Sequence, residues 1–330
     1  MHRSLPQAGL LSSLARSPQH LARLGVCLAL LALVLFGWWR YDNFVSEYNA
    51  LSFLRYNSMF LLIALGMGFV IMTGGIDLSV GGTAALASVA AALASPWGMA
   101  AGVAAGVGAG LLVGAANAMI IAGLRIPPFI ATLATMLATY GTALLASENQ
   151  SVSASYDSGF TDFGQGDVLG FPAPAWVALI AYVVGWLVLE HSATGRRILA
   201  VGGGEDAAGL MGLRVNRLKA GVYIVSGGLA GLAGAILAAQ FGAGQPTEGV
   251  GWELFAIASV VVGGTLLTGG VGSVGATLAG ALLLAMVFNI LNFENGLGWI
   301  SLSAYWQSVI RGGFLLIVVI LQAKITRRTA

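Results

Sequence analysis

Ten apolar runs, each close to the length a helix needs to cross a bilayer, follow one another between residues 21 and 322. They fall at about 21–39, 53–73, 79–95, 98–122, 128–146, 173–190, 218–241, 254–269, 274–292 and 303–322. About 20 mostly apolar residues span the hydrocarbon core as a helix. A helix also satisfies its own backbone polar groups, which lipid cannot do. With 58% apolar and only 8% charged residues, no soluble fold has enough polar surface to cover the remainder. The chain reads as an all-α integral membrane protein of about ten transmembrane helices. It forms a single domain over 21–322, between tails at 1–20 and 323–330. The third and eighth runs are short and broken by glycine. The first ends in "FGWWRYD", with no small-residue cleavage site, so it reads as a retained anchor.

Lysine and arginine set the orientation. With both termini cytoplasmic, 12 of the 15 basic residues fall in cytoplasmic segments, among them Arg125, Arg196, Arg197, Arg214, Arg217 and Lys219. The outer loop 147–172 has none and carries Glu148, Asp157, Asp162 and Asp167. This is the positive-inside pattern. The inner loop 191–217 is basic, and both loops exceed the length of a plain connector. Within the spans, Arg55 and Arg311 sit in outer halves, where a long side chain snorkels to the interface.

One carboxylate breaks the apolar pattern. In "IMTGGIDLSVGG" (71–82), Asp77 stands between two glycine pairs. Gly74 and Gly75 end a helix by adopting backbone angles closed to other residues, and Asp77 or Ser79 then caps the next one. On this topology Asp77 emerges at the cytoplasmic end of its span, which removes most of its insertion cost. The turn also serves as a hinge on a second reading, and the two are compatible. A similar string recurs at 260–275, "VVVGGTLLTGGVGSVG", with Gly263, Gly264, Gly269 and Gly270 but no acid. Polar residues inside spans point to a pathway or to bonds between helices. The candidates are Asn57, Asn117, Thr132, Thr135, Tyr140, Asn289 and Asn292. The proline pair of "LRIPPFIATLATM" (124–136) opens a helix, on which Phe129 and Thr132 are three apart and share a face.

Several chemistries are excluded. There is no Walker A glycine loop, and the only lysines are Lys219 and Lys324. The single Cys27 and the scattered His2, His20 and His191 make no metal or nucleophile constellation. The chain therefore reads as no enzyme, without cofactor or metal, and without nucleic acid among its partners. Membrane lipid surrounds it.

The blocks "GMGFVIMTGGIDLSVGG", "LRIPPFIATLATM", "TGRRILAVGGGEDAAGLMGLRVNRLK" and "AIASVVVGGTLLTGGVGSVGATLAGALL" resemble, in order, those of the membrane permeases of ribose- and galactose-type ABC sugar importers. "NILNFENGLGW" and "VGWELFAIASVVVGGTLLTGG" look most like the second permease of the bacterial galactofuranose importer. The resemblance implies a bacterial inner-membrane subunit that imports a monosaccharide by alternating access. Its implied partners are an ATPase subunit with two nucleotide-binding domains, a second permease and a periplasmic sugar-binding protein. It also implies that a short helix in "GGEDAAGLMGLRV" docks on the ATPase. Glu205, Ala207, Ala208, Leu210, Met211 and Arg214 are its candidate residues, the apolar ones forming one small surface. Asn57, Asn117, Phe129, Thr132, Thr135 and Asn289 are the candidate pathway, and Gly74, Gly75, Asp77, Ser79 and the four later glycines are the candidate gating turns. A branched-chain amino acid or nucleoside permease of the same architecture is the alternative, and an ion-coupled secondary transporter is a further one.

Overall fold

A computed structural model of the protein describes residues 18–296 and positions 306, 309, 310, 312, 313 and 316. The expected tenth span, Arg311 and the tails at 1–17 and 323–330 otherwise lie outside the described residues. The helices are α1 (Pro18–Arg40), α2 (Glu47–Met72), α3 (Val80–Ala94), α4 (Met99–Ala118), α5 (Pro128–Ala146), α6 (Ala173–His191), α7 (Ala193–Gly203), α8 (Glu205–Leu210), α9 (Val215–Phe241), α10 (Trp252–Val262) and α11 (Val274–Gly296). Four two-residue strands decorate the loops: β1 (Val152–Ser153), β2 (Asp167–Val168), β3 (Phe171–Pro172) and β4 (Ala243–Gly244).

Seven helices among the described residues are long and apolar enough to cross a membrane, and the apolar parts of α1 and α10 are shorter. The eighth run is the clear departure from expectation. Its helix stops at Val262, and residues 263–273 are irregular. Eleven helical residues rise about 16 Å, roughly half the hydrocarbon thickness. Two glycines in a row end the helix there, and the stretch that follows is rich in glycine and threonine.

From Asn57 onward α2 is buried nearly all round, as a helix at the centre of a bundle must be. Beside it α9 packs along α2, α3 and α4. The α4–α9 contact is glycine on glycine. A Cβ on Gly110 would stand 2.2 Å from the Gly227 carbonyl oxygen, and one on Gly114 would stand 2.6 Å from that of Tyr223. Reciprocally, a Cβ on Gly231 would stand 2.6 Å from the Gly106 carbonyl oxygen. Small residues four apart let the two backbones touch, which replaces the hydrophobic drive that lipid does not supply.

The connections gather into two sets at opposite ends of the bundle. At one end β1 pairs antiparallel with β4, with Val152 opposite Gly244. There the Ser155 amide donates to Ser95 Oγ at 2.8 Å, Tyr41 Oη donates to Glu294 at 2.7 Å, and Arg55 pairs with Asp167 at 2.5 Å. Arg55 thus reaches a loop carboxylate. At the other end the Gly270 amide donates to the Met72 carbonyl at 3.1 Å, and α7 lies against both. The acidic residues of the 147–172 loop fall in the first set and the arginines of the 191–217 segment in the second.

Candidate functional site

The two glycine-broken strings form matched turns. At the end of α2 the Gly74 amide donates to the Ile71 carbonyl at 2.8 Å and the Gly75 amide to Val70 at 3.1 Å. At the end of α10 the Gly264 amide donates to Val261 at 2.9 Å and the Thr265 amide to Val260 at 3.2 Å. Gly74 and Gly264 both hold positive φ, 79° and 90°, the left-handed conformation that closes a helix C-terminus. The turns touch: a Cβ on Gly269 would lie 2.6 Å from the Gly74 amide nitrogen. Gly202 of α7 wedges against both, since its Cβ would lie 1.9 Å from the Met72 carbonyl oxygen and 2.3 Å from the Gly270 nitrogen.

Each turn leads into a helix through strings that match at four of five positions, "SVGGT" at 79–83 and "SVGAT" at 273–277. Ser273 Oγ accepts from the Ala276 amide at 3.1 Å and caps α11. Ser79 makes no such bond to α3. Its hydroxyl donates instead to Asp77 Oδ1 at 2.6 Å, and its amide donates to the same oxygen at 3.0 Å. The expected cap of α3 is therefore absent, because the carboxylate two residues earlier takes the hydroxyl.

Asp77 follows the end of α2 but is not open to solvent. It is 1% exposed, enclosed by the surrounding helices although its turn follows directly on that end. Its Oδ2 accepts from Ser226 Oγ at 2.9 Å. Ser226 lies about 16 Å along α9 from the first residue, Val215. The network continues outward. Asn117 Nδ2 donates to Ser79 Oγ at 2.8 Å, and Thr135 Oγ1 donates to Asn117 Oδ1 at 2.7 Å. Thr132 and Tyr223 hydroxyls both donate to the Ile76 carbonyl, at 3.3 and 3.4 Å. Among the described residues no basic side chain pairs with Asp77. A buried carboxylate costs several kcal/mol. Three donors, the Ser79 hydroxyl and amide and the Ser226 hydroxyl, satisfy its oxygens instead, as a buried polar group requires.

Of the candidate pathway residues, Asn117, Thr132 and Thr135 thus meet around Asp77. Phe129 does not share the Thr132 face: it is 55% exposed, whereas Thr132 turns inward at 0%. Asn57 donates within its own helix to Phe53 at 2.8 Å. Asn289 exchanges bonds with Asn49 at the acidic end, at 3.2 and 3.5 Å. Ser226 and Tyr223 were not singled out from the sequence, although a serine inside the glycine-rich span 218–241 was a visible signal. Two more oxygens stand out. Tyr140 Oη and Glu253 Oε2 are buried without a hydrogen-bond partner, and a Cβ on Gly81 would lie 3.1 and 2.8 Å from them.

The segment 191–217 folds into two helices. Ser192 caps α7 by accepting from the Thr194 and Gly195 amides at 3.0 and 3.3 Å. On α8, Ala208 is buried against Val201 and Val215, so the expected shared apolar surface is split. Leu210 and Met211 project instead, 91% and 71% exposed, and Ala207 is exposed. Glu205 pairs with Lys219 and ties the start of α8 to α9. Arg214 is exposed at the N-cap of α9.

Outside the membrane-crossing helices, burial raises the Tyr41 hydroxyl to about 12, aided by its bond to Glu294 and by that residue's charge, with Arg40 opposing.

The family model described as branched-chain amino acid transport system / permease component matches residues 49–319. The ribose import permease protein of Bacillus subtilis is 40% identical over 305 residues, 92% of this chain and 93% of its own. The L-arabinose transport system permease protein of Escherichia coli is 39% identical over 269 residues, 80% and 79% of the two chains. The D-allose transport system permease protein of the same organism is 33% identical over 299 residues, 89% of each. No solved structure matches the chain.

Proposed function

This chain belongs to the branched-chain amino acid transport system / permease component family, and from that premise we propose that it forms the membrane pathway of an ATP-driven importer of a monosaccharide. It is a multi-pass protein of the bacterial inner membrane and a transport subunit with no catalytic activity of its own. The relatives named for ribose, arabinose and allose favour an aldose as the cargo. Galactose or galactofuranose is the finer reading that the stretch 289–299 supports. In this reading the basic end faces the cytoplasm and a soluble ATPase. The acidic end receives sugar from a binding protein, and a second permease chain completes the pathway.

The observation that carries the proposal is the chain of contacts from α8 to Asp77. Leu210 and Met211 stand out from the basic end as a plug for a partner's groove, while Ala208 and the Glu205–Lys219 pair fix the base of α8. Displacing α8 moves α7, and Gly202 of α7 has no free space against Met72 and Gly270. Both broken turns therefore shift together. The first carries Asp77, whose network holds the start of α3 to α4, α5 and α9. Closing and reopening the ATPase would so alternate the access of the pathway, in which no residue need bind the sugar tightly.

The test is uptake into proteoliposomes holding this chain with its partner subunits and binding protein. ATP-dependent accumulation of labelled ribose, arabinose, galactose or galactofuranose is expected. Accumulation driven by an ion gradient without ATP would overturn the reading. Uptake of leucine or isoleucine in place of sugar would select the branched-chain amino acid reading, which the name of the matching family favours.

A further inference from the structure

A cleft of about 460 Å³ that includes no residue of the Asp77 network opens between α2, α6, α7 and α9. Its floor is Leu65 and Phe69 of α2, both buried. Its rim includes Val184 and Val225, which are 52% and 49% exposed. The cleft therefore opens outward, through an apolar rim, where hydrocarbon surrounds a protein of this class. Of its fourteen lining residues only Thr194 and Arg217 are polar. A sugar needs several convergent polar groups, so this cleft is not part of the transport pathway.

Both polar side chains belong to the basic end of the bundle, one in the first turn of α7 and one in the first turn of α9. Among the described residues no carboxylate pairs with Arg217. A cation at the interfacial end of a groove with apolar walls matches one kind of molecule already present in the bilayer. We propose that the cleft is a binding site for an anionic phospholipid, with an acyl chain on Leu65 and Phe69 and the phosphate on Arg217. Guanidinium groups suit phosphate oxygens because their donors are fixed in a planar fork, and basic pockets between transmembrane helices on the cytoplasmic side hold acidic headgroups. Gly221 keeps the site open. It lines the cleft, and a Cβ there would meet nothing within 4 Å.

The full chain, placed in nanodiscs of phosphatidylcholine with increasing phosphatidylglycerol, gives the test by native mass spectrometry of retained lipid. Wild type is expected to retain phosphatidylglycerol about fivefold over the neutral lipid, the scale of one basic side chain near an anionic headgroup. Arg217→Gln removes the preference while lipid is still held, and Gly221→Leu fills the cleft and abolishes retention. Equal retention of both lipids by wild type, or full retention by Gly221→Leu, overturns the site. So does a cross-link from Val184→Cys, in a Cys27→Ser background, to a second permease chain, since protein then occupies the cleft.

Discussion

Ser226 and Asp77, 149 positions apart in sequence, are joined by a hydrogen bond of 2.9 Å that ties the turn after α2 to the middle of α9. Removing Ser226 leaves a buried carboxylate oxygen without its donor, which costs about 1–3 kcal/mol. Ser226→Ala is therefore expected to lower the melting temperature in detergent. Tyr140→Phe is the contrast: its hydroxyl has no partner, so its loss is expected to leave the melting temperature unchanged or slightly raised. Equal losses in the two variants would contradict the geometry.

Asp77→Ala frees the Ser79 hydroxyl, which is then available to cap α3 as Ser273 caps α11. The helix start survives and Asn117 keeps its bond to Ser79, but the link from this turn to Ser226 is lost. We expect uptake per molecule to fall at least several-fold while membrane protein level falls little. Transport assays normalised by immunoblot decide this, and normal uptake at a normal level would remove Asp77 from the mechanism.

Gly202→Ala and Gly203→Ala differ by one position and should differ sharply in effect. A Cβ on Gly202 meets backbone at 1.9 Å, whereas one on Gly203 meets nothing within 4 Å. Gly202→Ala must displace α7 from the paired turns, so stimulated ATP hydrolysis in the assembled importer should lose its coupling to uptake. Gly203→Ala should behave as wild type. The ratio of sugar moved to ATP hydrolysed measures the difference.

Leu210→Asp is expected to abolish co-purification of the ATPase while the permease still folds, because Leu210 is almost fully exposed. Ala208→Asp should damage the permease itself by placing a charge against Val201 and Val215. Gel filtration of the tagged chain, with and without its partner, separates the two effects.

Tyr41 provides a pH signature at the acidic end. Its hydroxyl titrates at about 12 in the folded protein, against an ordinary 10. A raised value means that the folded state binds the proton more tightly, so the stabilisation is complete below pH 10 and is lost as pH rises through about 12. The stability of wild type should fall relative to Tyr41→Phe across that window. Parallel pH profiles for the two proteins would refute the raised titration of the buried hydroxyl.

Sequence showed the helices and the broken turns because both are local. Length and apolarity make a span, and paired glycines stop one. The enclosure of Asp77 was hidden because it involves Ser226, a partner that no spacing rule connects to it. The end of α10 at Val262 was hidden for a different reason: Leu266, Leu267 and Val271 keep the stretch hydrophobic in part, while the glycine pair at 263–264 stops the helix. Position on α8 also misled. Ala208 and Leu210 are both apolar, and only the packing of Val201 and Val215 decides that one turns in while the other projects.

The glycine contact between α4 and α9 has a kinetic corollary. Where Gly110 and Gly114 meet Gly227 and Tyr223, backbone lies on backbone, so no side chain at the joint can change rotamer to absorb a small displacement. The two helices must stay in register or jump by a whole repeat. That makes the pair a stator, and it confines gradual motion to the turns at its end.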